Sequence, residues 1–270
     1  MKTLVVVQAR MGSSRLPGKV MLPLAGAPLL QRMIERVVAA KTPFEVCVAT
    51  STEPLDDAIV ELADKAGVRW HRGDPLDCLK RHVTAADEAG ADYVVKIPSD
   101  CPLIDPAVID EVLSFYFANE ASFDFVSNLH PPTWPDGNDV EIVPAELLRL
   151  ADREASRQLE REHTTPFFWE QPARFRIGNV RCGGGKDLSM SHRFTIDYPD
   201  DYRFISAVFD ALYRGDAGAP FSLDDILSLV EKRPDIRALN EKYAGVSWYR
   251  NHLQDLSTIT PEMTRTGPSS

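Results

Sequence analysis

The sequence predicts an α/β fold built on a mostly parallel central sheet. Through the first half of the chain, apolar runs of strand length alternate with segments of helix length, which is the pattern of right-handed βαβ units. The first run, residues 4–7, is apolar throughout, as expected for a strand that is buried on both faces. A chain of 270 residues is long enough to bury the core of one large α/β domain.

The elements follow from the pattern in chain order. Strands are predicted at residues 3–7, 45–49, 68–71, 93–97 and 123–127, and helices at 28–40, 55–66, 76–88 and 106–119. The region 129–137 is predicted as a loop because it holds three prolines and Gly137. Beyond it we expect a strand at 139–143, a helical pattern over 144–169, strands at 174–180 and 192–196, and helices at 200–214 and 223–231.

Composition and charge exclude several classes of protein. The net charge of -10 argues against a nucleic-acid partner, since phosphate backbones attract basic surfaces. No apolar run is long enough for a membrane span, and the apolar stretch near Met1 is too short for a signal peptide. The four cysteines form no C-x-x-C pair, so neither a zinc site nor a disulfide framework is indicated. We therefore expect a cytoplasmic protein that binds neither nucleic acid nor membrane.

A basic loop follows the first predicted strand. Residues 8–19 contain Arg10, Arg15 and Lys19, and no acidic residue precedes Glu35. A loop that leaves a strand and enters a helix points backbone N–H groups outward, where an anion can bind. Arg binds two phosphate oxygens at once and Lys supplies a compact charge, so the mixture suits a polyphosphate. The alternative is a solvated basic turn, because the loop matches no standard phosphate-binding motif.

Two aspartates follow predicted strands at the end of the sheet where ligands bind. Asp100 comes after strand 93–97, and Asp197 comes after strand 192–196. Ligands of open parallel sheets lie beyond the carboxyl ends of the strands, and Mg²⁺ prefers oxygen ligands that it shares with substrate phosphates. We predict Asp100 and Asp197 as Mg²⁺ ligands, with a turn or cap role as the alternative for each. Asp105 directly precedes Pro106 and is assigned to helix capping.

Three stretches carry a resemblance to a known family. Residues 8–19, with the sequence QARMGSSRLPGK, resemble the signature loop of the sugar cytidylyltransferases that make CMP-sialic acid and CMP-KDO, most closely the spore coat polysaccharide branch. Residues 99–103 and 193–201 are similar to the central and late Asp motifs of that family, in the same order. The resemblance implies a three-layer Rossmann-like fold of the nucleotide-diphosphosugar transferase type.

The resemblance also implies an activity and a set of roles. The expected reaction moves CMP from CTP to a sugar acid or amino sugar, with Mg²⁺ as cofactor and release of pyrophosphate, for surface polysaccharide or glycoconjugate synthesis. The residues expected to carry catalysis are Lys19, Arg10, Asp100 and Asp197. The residues expected to bind the nucleotide are Gln8, Ala9, Arg10, Gly12, Ser13, Arg15, Lys19, Thr50 and Arg72.

The side that receives the small sugar acceptor is expected to hold Asp139, Glu141, Glu162 and His163. They lie in residues 135–141 and 161–166, which are similar to the spore coat branch. Asp139 and Glu141 fall on one face of the predicted strand, and the alternative is a strand edge guarded by charge. His163 is predicted to orient substrate or act as a base, or else to be a capping or packing residue.

The expected organisation is a single cytidylyltransferase-like domain over residues 1–255, with a lid or acceptor-side insert at about 129–192 and a flexible tail over 256–270. Members of the family are often dimers, so a homodimer is compatible with the resemblance. The alternative functions are a GT-A-like glycosyltransferase, a sugar-1-phosphate nucleotidylyltransferase and a non-catalytic nucleotide-binding regulator. The central motif has the single Asp100 rather than Asp-x-Asp, which argues against the glycosyltransferase.

Overall fold

The computed structural model describes residues 1–215 and 218–265. The strands are β1 (Thr3–Gln8), β2 (Pro23–Leu24), β3 (Ala27–Pro28), β4 (Glu45–Ser51), β5 (Arg69–Gly73), β6 (Tyr93–Pro98), β7 (Phe125–Ser127), β8 (Glu141–Pro144) and β9 (Ile177–Asn179). The helices are α1 (Leu29–Val38), α2 (Asp57–Lys65), α3 (Cys78–Ala89), α4 (Pro106–Ala118), α5 (Ala145–Glu154), α6 (Gln158–His163), α7 (Pro166–Trp169), α8 (Pro199–Leu212), α9 (Leu223–Lys232) and α10 (Pro234–Arg237).

Seven strands form one sheet in the order β5-β4-β1-β6-β8-β7-β9. β8 runs antiparallel to its neighbours β6 and β7, and the other pairs are parallel. β1 lies inside the sheet between β4 and β6, so the loop that follows it leaves from the carboxyl edge of the sheet. β2 and β3 form a separate two-stranded hairpin. The predicted mostly parallel sheet is confirmed.

Helices cover both faces of this sheet, because successive side chains of a strand point to opposite sides. Val5 and Val7 pack into the core that contains the buried residues of α1, α4 and α8. Leu4 and Val6 pack into the second core, with α3 and α5. The predicted three-layer arrangement is therefore confirmed, and the apolar character of β1 is explained by its burial on both faces.

The predicted strand at 192–196 is wrong. Only one isolated bridge, between Asp136 and Arg193, lies in it. Its backbone is used for other contacts, since Phe194 N donates to Asp136 O at 2.7 Å and Ile196 N donates to Asp100 O at 2.9 Å. The segment therefore crosses the edge of the sheet instead of joining it.

Other boundaries also differ from the prediction. The strand predicted at 139–143 begins only at Glu141, and the one at 174–180 is limited to β9. The helical pattern over 144–169 is divided into α5, α6 and α7, and Thr164, between the last two, has a φ of 70°. Because β8 and β9 belong to the central sheet, much of the predicted insert is part of the main layer. Its role as a lid stays a prediction.

The described end of the chain contacts the rest of the protein. Leu256 and Ile259 are buried, and the backbone N–H groups of Ser257 and Thr258 donate to the Glu170 carboxylate. Residues 256–259 thus pack against the segment that carries Glu170. Residues 266–270 lie outside the described part of the chain, and the flexible tail over 256–270 stays a prediction. The described helices include none that is both long and apolar enough to span a membrane.

Candidate active site

A cleft of about 460 Å³ opens at the carboxyl edge of β1 and β6. Its walls come from the basic loop after β1, the loop after β6, the segment before α8 and a late segment around Trp248. Twelve of the residues predicted from the sequence line it: Gln8, Ala9, Arg10, Ser13, Arg15, Lys19, Asp100, Asp139, Glu141, Glu162, His163 and Asp197.

Three predicted nucleotide-binding residues do not line this cleft. Gly12 lies in the same loop but is not part of the wall. Thr50 is fully buried in β4. Arg72 donates to the carbonyls of Ser51 and Glu53 at 2.9 Å each, so its guanidinium is held against β4 and the turn after it. A nucleotide-binding role for these three residues stays a prediction.

Local hydrogen bonds shape the basic loop. Gly18 N donates to Met11 O at 2.9 Å, and Met11 N donates to Asp56 Oδ1 at 2.7 Å. Gly18 has a φ of 70°, a left-handed conformation that glycine adopts without steric cost, and it starts the short turn that buries Lys19. Asp56 was not predicted as a site residue, because its position before α2 looks like an ordinary helix start.

Lys19 joins the two predicted metal ligands. Its Nζ donates to Ile196 O at 2.7 Å, to Asp197 Oδ1 at 3.1 Å and to Asp100 Oδ2 at 3.4 Å. Burial acts to lower the pKa of Lys19, but the two aspartates outweigh it and the pKa is raised. The amine is therefore charged at neutral pH, and it brings the tips of two distant loops together.

Asp197 is surrounded by positive charge. Besides Lys19, its Oδ1 pairs with Arg15 at 2.7 Å, and its Oδ2 pairs with Arg193 at 3.2 Å. Burial acts to raise the pKa of Asp197, but Lys19, Arg15 and Arg193 together hold it below its ordinary value. Asp197 is thus an ionised carboxylate inside the protein.

The two aspartates fit a hard divalent cation. One cationic atom, Lys19 Nζ, contacts both carboxylates, so Asp100 and Asp197 converge on one point as ligands of one ion would. Among residues 1–215 and 218–265, no group of three or more His, Cys, Asp or Glu side chains is arranged to hold a metal. Two carboxylates that share an ion with substrate phosphates are a usual arrangement for Mg²⁺.

Arg193 was missed as a site residue, although it begins the late Asp motif. Its side chain is 1% exposed and pairs with Asp136 at 3.0 Å and with Asp201 at 2.9 Å, as well as with Asp197. It also donates to Val246 O at 2.8 Å. Arg193 therefore links Asp197, the candidate metal ligand, to the segment around Trp248 that forms one wall of the cleft. Its position as the first residue of the run RFTIDYPDD was the signal that could have identified it.

A buried ion pair lies at the predicted acceptor end of the cleft. We define this end by four residues: Lys96, Glu141, His163 and Trp248. Lys96 Nζ lies 2.5 Å from Glu141 Oε1, across the β6–β8 register. Burial raises the pKa of Asp139 well above its ordinary value, and Asp136 adds to the effect. Burial also raises the pKa of Asp136 to about 7, against the pull of Arg193. Burial thus favours the protonated form of both Asp136 and Asp139.

His163 stacks on Trp248, with ring centroids 3.9 Å apart and an angle of 8° between the rings. Burial, followed by the charge of Lys96, lowers the pKa of His163 to about 3. The imidazole is therefore neutral and packed, which makes it a weak base. Trp248 and its neighbours were not predicted, since the sequence shows no polar motif there, and the aromatic pair Trp248–Tyr249 was the only signal.

Most of the chain is similar in sequence to known proteins. A sequence model described as cytidylyltransferase matches residues 4–233. The uncharacterized protein MJ1063 of Methanocaldococcus jannaschii is 34% identical over 252 residues, which cover 92% of this chain and 98% of that protein. The spore coat polysaccharide biosynthesis protein SpsF of Bacillus subtilis is 29% identical, over 86% of this chain and 95% of its own length.

A solved structure agrees with these sequence matches. The structure of a cytidylyltransferase from Leptospira borgpetersenii superposes with a TM-score of 0.82 and 33% identity, covering 87% of this chain and 96% of that one. The resemblance predicted from the loop of residues 8–19 and the two Asp motifs is therefore confirmed at the level of the family.

Proposed function

Because the chain belongs to the cytidylyltransferase family, we propose that it transfers CMP from CTP to a hydroxyl group of a sugar acid or amino sugar and releases pyrophosphate. The similarity to a spore coat polysaccharide protein supports a place in surface polysaccharide or glycoconjugate synthesis. The observation that carries the proposal is the convergence of Asp100 and Asp197 on Lys19, next to Arg10 and Arg15 on the cleft wall.

In the proposed reaction, the sugar hydroxyl oxygen attacks the α-phosphorus of CTP in line. The new O–P bond forms while the bond from the α-phosphorus to the bridging oxygen breaks, and pyrophosphate leaves with that electron pair. The proton of the sugar hydroxyl passes to solvent water. Catalysis of this kind depends on positioning and on neutralising phosphate charge. We assign Arg10, Arg15 and Lys19 to the β- and γ-phosphates, where they also stabilise the departing pyrophosphate.

We propose that Asp100 and Asp197 hold Mg²⁺. The ion, when bound, neutralises phosphate charge and lowers the pKa of the attacking hydroxyl. Arg193 keeps Asp197 ionised and oriented through its contact at 3.2 Å, so the carboxylate is ready to act as a ligand. His163 is not assigned as the base, because its pKa near 3 makes proton removal unfavourable.

The proposal is tested by pyrophosphate release with Mg²⁺, each of four nucleoside triphosphates, and a panel of ulosonic acids and amino sugars. We expect release with CTP and at least one acceptor, and its loss in Lys19→Ala and Asp197→Asn. Lys65→Ala is the matched control, since Lys65 is an exposed residue paired only loosely with Glu61 at 3.9 Å.

The alternative functions give different results in the same assay. Binding of CTP without pyrophosphate release for any acceptor would identify a nucleotide-binding regulator. Turnover only of a sugar 1-phosphate would identify a sugar-1-phosphate nucleotidylyltransferase. The cytoplasmic location and the homodimer stay predictions.

A further inference from the structure

Cys78 is the first residue of α3, and its side chain lines the cleft. The residue is 5% exposed and its thiol is free. The start of a helix carries a partial positive charge, which favours a thiolate over a thiol. Because many cysteines begin helices without reacting, the groups around the sulfur decide its chemistry.

His82 directs a hydrogen-bond donor at the sulfur. Its Nδ1 lies 2.8 Å from the carbonyl oxygen of Cys78 and 3.6 Å from Cys78 Sγ. A carbonyl oxygen only accepts hydrogen bonds, so Nδ1 carries a hydrogen and does not accept the thiol proton. The sulfur is therefore the acceptor in its contact with Nδ1, which favours the ionised form of the sulfur.

The pKa of Cys78 agrees with this geometry. Burial acts to raise the pKa, but the charge and hydrogen bond of His82, followed by the charge of Arg81, outweigh burial and lower it to about 6. Burial raises the pKa of each of the other three cysteines, Cys47, Cys101 and Cys182. Of the four cysteines, Cys78 is therefore the one that is a thiolate at neutral pH.

Arg81 has an unused donor on the same wall of the cleft. Its side chain lines the cleft, the residue is 4% exposed, and its Nε has no hydrogen-bond partner within the described residues. Its Nη1 donates to Asp74 O, which holds the guanidinium in place. Residues three positions apart in a helix have Cβ atoms about 5–6 Å apart, so Cys78 and Arg81 lie side by side on α3.

Buried polar groups are nearly always paired, so an unpaired donor in a cleft indicates an oxygen atom of a ligand. Other buried polar atoms of the cleft also lack a partner within the described residues, but they do not lie on α3: Gln8 Oε1, His130 Nδ1, Glu141 Oε2 and Trp169 Nε1. Arg81 Nε is thus the unpaired atom that lies beside a thiolate on the same helix.

A thiolate next to an N–H donor suits a small peroxide. When a thiolate attacks a peroxide, the oxygen that leaves becomes negatively charged, and a donor aimed at that oxygen stabilises it. A carboxylate or phosphate would be repelled by the thiolate itself. Because Cys78 is so little exposed, a molecule with two heavy atoms reaches the sulfur more easily than a bulky disulfide.

We propose that Cys78 is an oxidation site of the cleft, where its sulfur reacts with hydrogen peroxide bound by Arg81 Nε. The sulfur attacks one peroxide oxygen, and the S–O bond forms while the O–O bond breaks. The second oxygen leaves as hydroxide with the electron pair and takes a proton from solvent to become water. The sulfur is oxidised by two electrons to a sulfenic acid, and the peroxide is reduced by two electrons.

Oxidation at this position affects the cleft next to the basic loop. Arg10 Nη1 donates to Pro75 O at 3.3 Å, so the basic loop lies against the segment that leads into α3. The sulfenic acid adds an oxygen atom to this part of the cleft wall. We expect it to lower CTP-dependent pyrophosphate release, a consequence that rests on the proposed transfer of CMP, and dithiothreitol should restore the release.

The first experiment measures oxidation directly. The protein is treated with hydrogen peroxide and dimedone, which traps sulfenic acids, and the four cysteines are compared by peptide mass spectrometry. We expect about tenfold or more label on Cys78 than on any other cysteine, and none at this position in Cys78→Ser. Cys182→Ser is the matched control, because Cys182 is 7% exposed and its pKa is raised by burial, and it should leave the label on Cys78 unchanged.

A second experiment separates the peroxide contact from the ionisation of the sulfur. Arg81→Lys keeps the charge and removes the Nε–H, so we expect oxidation of Cys78 by peroxide to slow by about tenfold. Alkylation of Cys78 by iodoacetamide measures the thiolate alone and should change by less than about threefold. Arg69→Lys is the control and should change neither rate, since Arg69 is exposed on β5 and its Nε donates to Glu45 at 2.6 Å.

The outcomes separate this inference from the proposed function. Absence of dimedone on Cys78, or equal label on all four cysteines, overturns the oxidation site whether or not the protein transfers CMP. An equal fall of both rates in Arg81→Lys overturns the contact between Arg81 and peroxide. No pyrophosphate release by untreated protein overturns the proposed function and leaves the labelling result intact. The labelling uses the unmodified chain, so it decides the matter even where a variant fails to fold.

Discussion

The ammonium nitrogen of Lys19 lies 3.1 Å from Asp197 Oδ1, although the two residues are 178 positions apart in the chain. The same nitrogen lies 3.4 Å from Asp100. Lys19 is therefore where the basic loop, the loop after β6 and the segment before α8 meet. Any nucleotide whose phosphates bind the basic loop lies next to the two carboxylates, which is the arrangement that metal-assisted phosphoryl chemistry requires.

Replacing Lys19 by Ala is expected to lower the rate of CTP-dependent pyrophosphate release by about 10²-fold or more, because a charged contact that strengthens in the transition state is lost. Lys19→Arg keeps the charge but has a planar head that fits the site less well, so we expect an intermediate rate. Circular dichroism melting of each variant shows whether the fold persists. A rate within twofold of wild type for Lys19→Ala would remove this residue from the mechanism.

Removal of divalent metal is expected to stop turnover, and Mn²⁺ offers a direct measurement of binding. In the presence of CTP, we expect the protein to bind Mn²⁺, and Asp197→Asn and Asp100→Asn to weaken that binding because each loses a charged oxygen ligand. Electron paramagnetic resonance of free Mn²⁺ measures the difference. Asp235→Asn is the control, since Asp235 lies on α10, is exposed and pairs with Arg233 just before that helix. Unchanged Mn²⁺ binding in both variants would contradict the metal assignment.

Arg193 is expected to be a positioning residue for Asp197. Arg193→Lys keeps one positive charge but loses the planar guanidinium group, whose nitrogens contact Asp136, Asp197 and Asp201 at the same time. Breaking a buried ion network costs about 3–5 kcal/mol, so we expect a lower free energy of unfolding in urea. Mn²⁺ affinity should also fall, because Asp197 loses its orientation.

The exposed Arg203 provides the contrast for Arg193. It pairs with Asp200 on the surface of α8, and Arg203→Lys should change neither stability nor Mn²⁺ affinity. Loss of stability in Arg193→Lys with unchanged Mn²⁺ affinity would show that Arg193 holds the fold together without positioning the ligand.

The sequence predicted the part of the site that depends on short local patterns. The basic loop, Asp100 and Asp197 each follow an apolar run, and such runs end at one edge of a parallel sheet. The segment before Asp197 was nevertheless mispredicted as a strand, because Phe194 and Ile196 have the alternation of a half-buried strand while their backbone bonds go to Asp136 and Asp100. The alternation of apolar and polar side chains along a segment does not show which groups its backbone N–H groups will bond to.

The cleft wall formed by the segment around Trp248 depends on contacts between distant parts of the chain. Trp248 stacks on His163, and its segment is held by the bond from Arg193 to Val246. Ser257 and Thr258 continue this packing through Glu170. A flexible tail was predicted from residue 256 onwards because this segment is rich in Thr, Ser and Pro. Only the tertiary structure shows that Glu170 accepts their backbone N–H groups.

Gly137 is expected to be required for the shape of the site. It has a φ of 104°, and a Cβ at this position would lie 2.5 Å from the backbone of Phe194 and Thr195. Gly137→Ala should therefore separate the loop that carries Asp136 from the segment that carries Asp197. We expect a loss of about 1–3 kcal/mol in the free energy of unfolding and a loss of turnover.

Gly183→Ala is the control for that prediction, because no atom lies within 4 Å of a Cβ there and its φ is not positive. Urea unfolding of both variants gives the comparison. Equal stability of Gly137→Ala and wild type would show that the loop tolerates separation from residues 193–195.

His163 is expected to make stability depend on pH. Burial lowers its pKa from 6.5 to about 3, so between these values the unfolded chain binds a proton that the folded chain does not. The stability from His163 is therefore complete above pH 6.5 and is lost as the pH falls towards 3. His163→Phe keeps a flat ring against Trp248 and removes the titration.

Between pH 6.5 and 3, the free energy of unfolding in urea should thus fall more steeply for the wild type than for His163→Phe. Asp136, with its pKa raised to about 7, acts with the opposite sign, since its stability is complete below the unfolded pKa and is lost as the pH rises through 7. Asp136 is present in both chains, so its effect cancels in the difference between them. Parallel curves would mean that the pKa of His163 in the folded protein lies near its ordinary value of 6.5, and His163 would then be a candidate base again.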